Sequence, residues 1–286
     1  MTEKPLFVCI NGDIEPEKSW LSIQNRSFKY GDGIYETVRA RGTRILFLNE
    51  HYQHLCESMK AMNMDIESLP TIQEIENAVS RLLYRNKFLV ASSLRFTVFR
   101  SGAGGLNPEY NKVEYCIEAS PIEKGKFELN TKGLSVGIYN DNPIYPSVIS
   151  SLKTTSAILR VMAANYAYKN NLNDSLLINH KGNLVEATSS NLFIYKNKIL
   201  YTPPLSDGCV NGIMRNTVIE LARESGIEVV DNQSLAPHDI ENATELFLTN
   251  ATNGIRWVIA YKNFRFYNHL SKSLISLLNK KTELNN

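Results

Sequence analysis

An α+β fold in two domains is what this sequence predicts, on three observations. Strand-like and helix-like runs are intermixed without the regular βαβ rhythm of a doubly wound sheet. A polar segment separates two strand-bearing parts, giving an N-terminal domain over residues 1–121, a linker over 122–133 and a C-terminal domain over 134–286. The 286 residues, 43% hydrophobic and 21% charged, suffice for two modest domains with sizeable cores.

The elements follow in order. Pro5 to Ile10 reads as a short strand ending in the Asn11-Gly12 turn. Glu36 to Leu48 reads as a hairpin about Arg41-Gly42-Thr43. Asn49 then caps a helix whose apolar positions Tyr52, Leu55, Cys56, Met59 and Met62 recur at helical spacing. After Pro70, Thr71 and Glu74 form a capping box for a second helix, with Ile72, Ile75, Val79, Leu82 and Leu83 as its buried stripe. Strands at Ser93–Arg100 and Val113–Ala119 flank the glycine-rich SGAGGLNPEYN. In the second part a strand at Leu134–Tyr139 leads through an irregular stretch to Lys153. A helix is expected from about Thr155 to Lys169, then strands between Ser175 and Thr202. A turn-rich loop, Pro203–Gly212, opens a helix from Ile213 to Ser225 that stops at Gly226. Strands near Ile227–Val230 and Thr244–Thr249 and a C-terminal helix complete the chain.

Composition removes several function classes. Net charge is +2 and no basic block occurs, which speaks against nucleic-acid binding. The N-terminal stretch lacks the apolar run of a signal peptide, and no segment is long and apolar enough to span a bilayer. The 4 cysteines are scattered and fit neither a disulfide framework nor a metal site, so a cytoplasmic protein is expected. The 5 histidines show no metal-ligand spacing on a common face, and no metal is assigned.

Several residues stand out chemically. Lys153 lies between small hydroxyl residues and a weakly charged helix; it is either a solvated charge or an amine in a lined cavity. Glu186 lies in the strand Leu184–Thr188, at a solvent edge or as a buried carboxylate able to hold a pyridinium proton. A lysine and a carboxylate of this kind are the minimum apparatus of pyridoxal phosphate chemistry. The loop from Asp207 to Gly212 opens onto Ile213 and Met214 as glycine-rich anion cradles do, although most such entries bind nothing. Thr249-Asn250-Ala251-Thr252 is a plain turn or a second wall of that cradle. Arg26, Tyr35 and Arg39 cluster about the GDGIYE segment, and Arg95, on a polar strand face with Thr97 and Phe99, either meets a substrate carboxylate or points to solvent.

Together the ordered pieces YGDGIYETVR, Lys153, GNLVEATSSNLFIY, GCVNGIMR and ELFLTNATNGIRWV resemble the fold-type IV pyridoxal phosphate enzymes, the class IV aminotransferase family. That family includes branched-chain and D-amino acid aminotransferases and aminodeoxychorismate lyase. The resemblance implies a small N-terminal α/β domain and a larger, β-barrel-like C-terminal domain that anchors pyridoxal 5'-phosphate. It implies that Lys153 forms the Schiff base with the cofactor and carries the substrate's α proton, and that Glu186 meets the pyridine nitrogen. It implies that Ile213, Met214, Asn250 and Ala251 hold the phosphate, and that Tyr35, Arg39 and Arg95 meet the substrate. It also implies a homodimer whose active sites lie near the interface, acting on an amino acid and a 2-oxo acid.

Three departures from the family pattern matter. His-x-x-Arg-Leu is usual in the first long helix, whereas this chain has His51-Tyr52-Gln53-His54-Leu55, so His54 stands where an arginine would clamp the phosphate. The tyrosine that branched-chain enzymes place shortly after the lysine is absent from Thr154–Ile158, and the Arg-x-His pair of D-amino acid enzymes is absent from SGAGGLNPEY. Val210–Arg215 is closer to aminodeoxychorismate lyase, yet Leu106 stands where that lyase carries arginine. The first reading is therefore an aminotransferase. The alternative is aminodeoxychorismate lyase, releasing pyruvate and 4-aminobenzoate, and behind it a non-catalytic relative that binds the cofactor.

Overall fold

The computed structural model describes residues 6–18 and 22–284; Pro5, expected to begin the first strand, lies outside them. The chain forms two compact units, one of residues 1–125 with 153–156 and one of residues 126–152 with 157–286.

The first unit contains β1 (Phe7–Ile10), β2 (Asp13–Pro16), α1 (Arg26–Tyr30), β3 (Gly33–Arg41), β4 (Arg44–Ile45), α2 (Leu48–Ala61), α3 (Ile72–Asn86), β5 (Ala91–Arg100) and β6 (Val113–Ile122). The strands form an antiparallel sheet in the order β2-β1-β6-β5-β3-β4. Strand alternation sends Ile34, Val38, Leu94, Phe96, Val98 and Ile117 to one face, where Leu55 and Met59 of α2 and Ile75, Val79 and Leu82 of α3 cover them. The expected capping box is present at α3, with Thr71 and Glu74 each bonding the other's backbone. At α2 the expectation fails. Its N-cap is Phe47, in the left-handed conformation at φ 56° with no side-chain cap, and Asn49 sits inside the first turn.

The second unit contains β7 (Leu134–Ile144), α4 (Ile158–Lys169), β8 (Asp174–Asn179), β9 (Leu184–Ala187), β10 (Asn191–Lys196), β11 (Ile199–Tyr201), α5 (Ile213–Glu224), β12 (Glu228–Val230), α6 (Pro237–Glu241), β13 (Glu245–Asn250), β14 (Gly254–Tyr261), β15 (Phe264–Arg265) and α7 (His269–Leu284). Its sheet is mixed and runs β12-β11-β10-β13-β14-β7-β8-β9, and β9 pairs back onto β10. The strands from β10 round to β9 thus close on themselves, giving the barrel-like sheet that the resemblance implied. Leu176, Leu184, Leu192, Leu246, Leu248 and Val258 fill its interior. All four residues of β9 are buried, so period-2 alternation there does not separate a wet face from a dry one.

The helix expected from Thr155 begins instead at Ile158. Residues 153–156 leave the second unit and join the first, pairing with β3 as an isolated bridge between Ile34 and Thr154. Two β-branched threonines favour this extended course over a helical start. Among the described residues no helix is long and apolar enough to cross a membrane.

Candidate active site

Lys153 is pinned by its backbone. Its carbonyl accepts the Tyr35 N–H at 2.8 Å, and the Thr155 N–H donates to the Gly33 carbonyl at 2.9 Å. On the other side of this strip lies Gly31, with φ at 67°, where an added Cβ would come within 2.9 Å of the Ser156 Cβ. With the backbone so held, the Lys153 side chain, 21% exposed, brings Nζ to 3.0 Å from Oε2 of Glu36.

Glu36 sits on the buried face of β3 between Ile34 and Val38 and is 2% exposed. His51 Nδ1 lies 2.8 Å from the same Oε2, and His54 Nδ1 lies 2.6 Å from Oε1. Burial pushes the Glu36 carboxyl pKa up, but the Lys153 ammonium and the two imidazoles outweigh it and hold it well below the usual carboxylate range. For His51 burial is the largest influence and pushes its pKa below the ordinary histidine value; Glu36 opposes this, while Lys153 and His54 add to it. An ionised carboxylate accepts only, so the neutral His51 ring donates from Nδ1. Its buried Nε2 then keeps a lone pair with no hydrogen-bond partner among the described residues.

His51 and His54 lie three residues apart on α2, on one face, and converge on one carboxylate. His54, expected at a phosphate, uses Nδ1 on Glu36.

The opposite face of the same sheet gathers Tyr35 and Arg95. The Arg95 guanidinium stacks 3.6 Å from the centre of the Tyr35 ring, and its side chain is 42% exposed, with a loose 3.9 Å pairing to Glu118. Arg39 lies on this face too but is buried, and its Nη2 donates to the Lys124 carbonyl at 2.6 Å. Arg26 ties Asp32 to the glycine-rich loop, pairing with Asp32 at 2.7 Å and donating to the Gly105 carbonyl at 2.7 Å. Leu106, at that loop's tip, is exposed.

In the second unit Glu186 is buried rather than at a solvent edge. Its Oε2 accepts the Val210 N–H at 2.9 Å, and its Oε1 accepts from the guanidinium of Arg160, in the first turn of α4. Asn191, beside Glu186 on β10, donates to the Val210 carbonyl at 2.8 Å. Gly212 is the N-cap of α5 and brings no capping side chain, so the first N–H groups at Ile213 and Met214 have no partner within the helix. A Cβ at Gly212 would lie 2.3 Å from Oδ1 of Asn191. Asn191 is also the register partner of Thr249, whose buried Oγ1 has no partner among the described residues. Asn250 follows, its amide donating to Ser190 Oγ at 3.0 Å and its Oδ1 accepting from the Asn253 N–H at 2.8 Å.

In the first unit Lys153 and His54 meet at Glu36 on one face of β3, while Tyr35, Arg39 and Arg95 lie on the other; in the second, Glu186, Ile213, Met214, Asn250 and Ala251 lie about β10, β13 and the start of α5. Sequence reasoning missed Glu36, His51, Arg160 and the Val210 N–H. For Glu36 a signal existed, because a carboxylate between Ile34 and Val38 interrupts an apolar strand face. Arg160 gave none, since a charge in a helix's first turn is ordinarily solvated.

The family model for amino-transferase class IV matches residues 33–261. A Methanocaldococcus jannaschii protein assigned as a branched-chain-amino-acid aminotransferase is 33% identical over 247 residues, 85% of this chain and 83% of the relative. The D-alanine aminotransferase of Staphylococcus epidermidis is 25% identical over 258 residues, 86% of this chain and 85% of the relative. In fold, the branched-chain aminotransferase of Thermoproteus uzoniensis superposes with a TM-score of 0.86 at 24% identity, covering 96% of this chain and 93% of that one. A Legionella pneumophila protein assigned as a 4-amino-4-deoxychorismate lyase superposes at 0.83 with 23% identity, covering 92% and 96%. With the family model spanning most of its length, this chain belongs to the class IV aminotransferases and works with pyridoxal 5'-phosphate.

Proposed function

We propose that this aminotransferase moves an amino group between an amino acid and a 2-oxo acid, with Lys153 as its proton carrier. The observation that carries the reading is the fixed amine: Nζ on Glu36 at 3.0 Å, with the Lys153–Thr155 backbone bonded to β3. The residues of each unit fit the cofactor. The uncapped start of α5 and the Thr249 Oγ1, which has no partner among the described residues, suit a phosphate, and a buried carboxylate with both oxygens anchored suits a pyridine nitrogen.

When bound, pyridoxal phosphate supplies a sink for the electron pair left as the α C–H bond breaks. The chain's residues do the rest. Lys153 takes the α proton on Nζ and returns it. Glu186, held by Arg160 and Val210, keeps a negative charge at the pyridine nitrogen. Ile213, Met214, Asn250 and Ala251 offer backbone donors to the phosphate, and His54 contributes where the family has arginine. Arg95, stacked on Tyr35, meets the substrate carboxylate, and Arg39 supports that face from its bonds to the 124–125 carbonyls. The family reading also proposes a homodimer in the cytoplasm, with each active site near the subunit interface; light scattering on the purified protein checks the dimer.

One observation favours a second reading, aminodeoxychorismate lyase: the run Val210–Arg215 is closer to that enzyme. A panel of branched-chain L-amino acids, D-alanine and aminodeoxychorismate, each with and without a 2-oxo acid, separates the two. Amine transfer that requires the oxo acid is expected. Pyruvate and an aromatic amine released without any acceptor would overturn the proposal in favour of the lyase.

A further inference from the structure

The Glu36 cluster is more than a holder of charge, because two of its three donors share one oxygen. Lys153 Nζ and His51 Nδ1 both contact Oε2, at 3.0 and 2.8 Å, while His54 alone occupies Oε1. Whatever Lys153 does, His51 is the group left on its oxygen. We propose that Glu36 is a positioning residue for Lys153 and that His51 is its proton reserve, so that engagement of the Lys153 amine by the cofactor is coupled to proton uptake at His51. This rests on the role given to Lys153 above.

The argument is one of charge in a closed space. Glu36 lies on β3, facing Lys153 from the 153–156 strip and His51 and His54 from α2, and it is 2% exposed. A buried carboxylate with one positive partner is costly to leave alone. When Nζ condenses with an aldehyde carbon, a C=N bond replaces the C=O bond, and two of the ammonium's three protons leave with the carbonyl oxygen as water. At most one N–H then remains for Oε2, and it is directed by the new bond. The groups acting on His51 are Glu36, Lys153 and His54. Of these, the Lys153 ammonium opposes a proton on the imidazole and Glu36 favours one. Weakening the first and freeing the second both move His51 toward imidazolium. Its Nε2, which has no partner among the described residues, is the atom that takes the proton. His54 keeps Oε1 fixed meanwhile, so the carboxylate does not rotate away from Nζ.

The sign follows directly. A histidine whose proton affinity rises on loading takes up a proton at any pH between its free and loaded midpoints, and the free midpoint here lies below the ordinary histidine value.

Apo-protein is titrated with pyridoxal 5'-phosphate in a calorimeter, using pairs of buffers of different ionisation enthalpy from about pH 5 to 8. Wild type is expected to take up more protons than Glu36→Gln or His51→Gln, by up to about one per site. Equal proton counts in the three proteins would overturn the proposal. Should the variants fail to fold, nitrogen-15 spectra of histidine-labelled wild type decide: the His51 midpoint rises on loading if the coupling exists, and an unmoved midpoint refutes it. Lys153→Ala keeps the two readings apart. If that variant develops the same cofactor absorbance as wild type, it is the role of Lys153 that fails; if the absorbance is lost and proton counts are equal, only the coupling fails.

Discussion

The guanidinium of Arg160 is ion-paired to Glu186, whose second oxygen receives the Val210 N–H at 2.9 Å. The carboxylate plane is therefore set by a helix on one side and a loop on the other, before any ligand arrives. A carboxylate fixed in this way presents its remaining lone pairs in one direction, which is what holding a pyridine nitrogen demands.

Arg160→Met removes one anchor from a buried charge. A hydrogen bond to a charged group is worth about 1.5–3 kcal/mol, and the low end applies because the Arg160 side chain is 23% exposed. The thermal midpoint should fall, and the absorbance of bound cofactor should respond to pH differently from wild type. Arg160→Lys should restore part of the stability but not the geometry. A double-mutant cycle with Glu186→Gln measures the pairing itself, and strictly additive effects would show that the two side chains act independently.

Gly212→Ala tests the start of α5. The new methyl would meet Asn191 Oδ1 at 2.3 Å, and the donation from Asn191 to the Val210 carbonyl lies next to the anchor of Glu186. Neither neighbour is the free end of a long side chain, so the loop must shift. Affinity for inorganic phosphate and for pyridoxal 5'-phosphate should drop at least about tenfold, the equivalent of about 1.4 kcal/mol. Unchanged affinity for both would place the phosphate elsewhere.

Short-range features of this fold were legible in the sequence, and long-range ones were not. The Thr71–Glu74 capping box needs only residues three apart, and it forms as read. Alternation along β5 sends Leu94, Phe96 and Val98 to the core as expected. The extended course of residues 153–156 is set by their pairing to β3, more than a hundred positions earlier, which no local propensity encodes. The same distance explains the site. Lys153 and Glu186 draw notice by residue type, whereas the role of Glu36 emerges only when two turns of α2 and the Lys153 strip close on β3. A lone buried carboxylate is visible as an interruption of a pattern; its partners are a property of the fold.

Gly31→Ala probes the support behind Lys153. The residue sits at φ 67°, where a side chain costs about 1–2 kcal/mol, and its Cβ would approach that of Ser156 to 2.9 Å. Ser156 closes the strip that carries Lys153, so strain there is passed to the amine. Destabilisation together with slower uptake of cofactor is the expected result. A loss of stability with unaltered uptake would mean that Lys153 is positioned by β3 alone.

Asp239 offers a pH test in the second unit, on α6. Burial pushes its carboxyl pKa up, but the Lys196 ammonium and the Ala236 N–H outweigh it and hold the group below the usual carboxylate range. Because the folded value is depressed, the unfolded chain binds this proton first as the pH falls. The stabilisation is thus complete above about pH 4, the ordinary range of an aspartate, and is lost as the pH drops through the depressed folded value. Asp239→Asn keeps the shape and deletes the charge. Its urea midpoint should lie below that of wild type at neutral pH, and the gap should hold to mildly acidic conditions and close only below about pH 4. A gap that already closes between pH 7 and 5 would assign the effect to another titrating group.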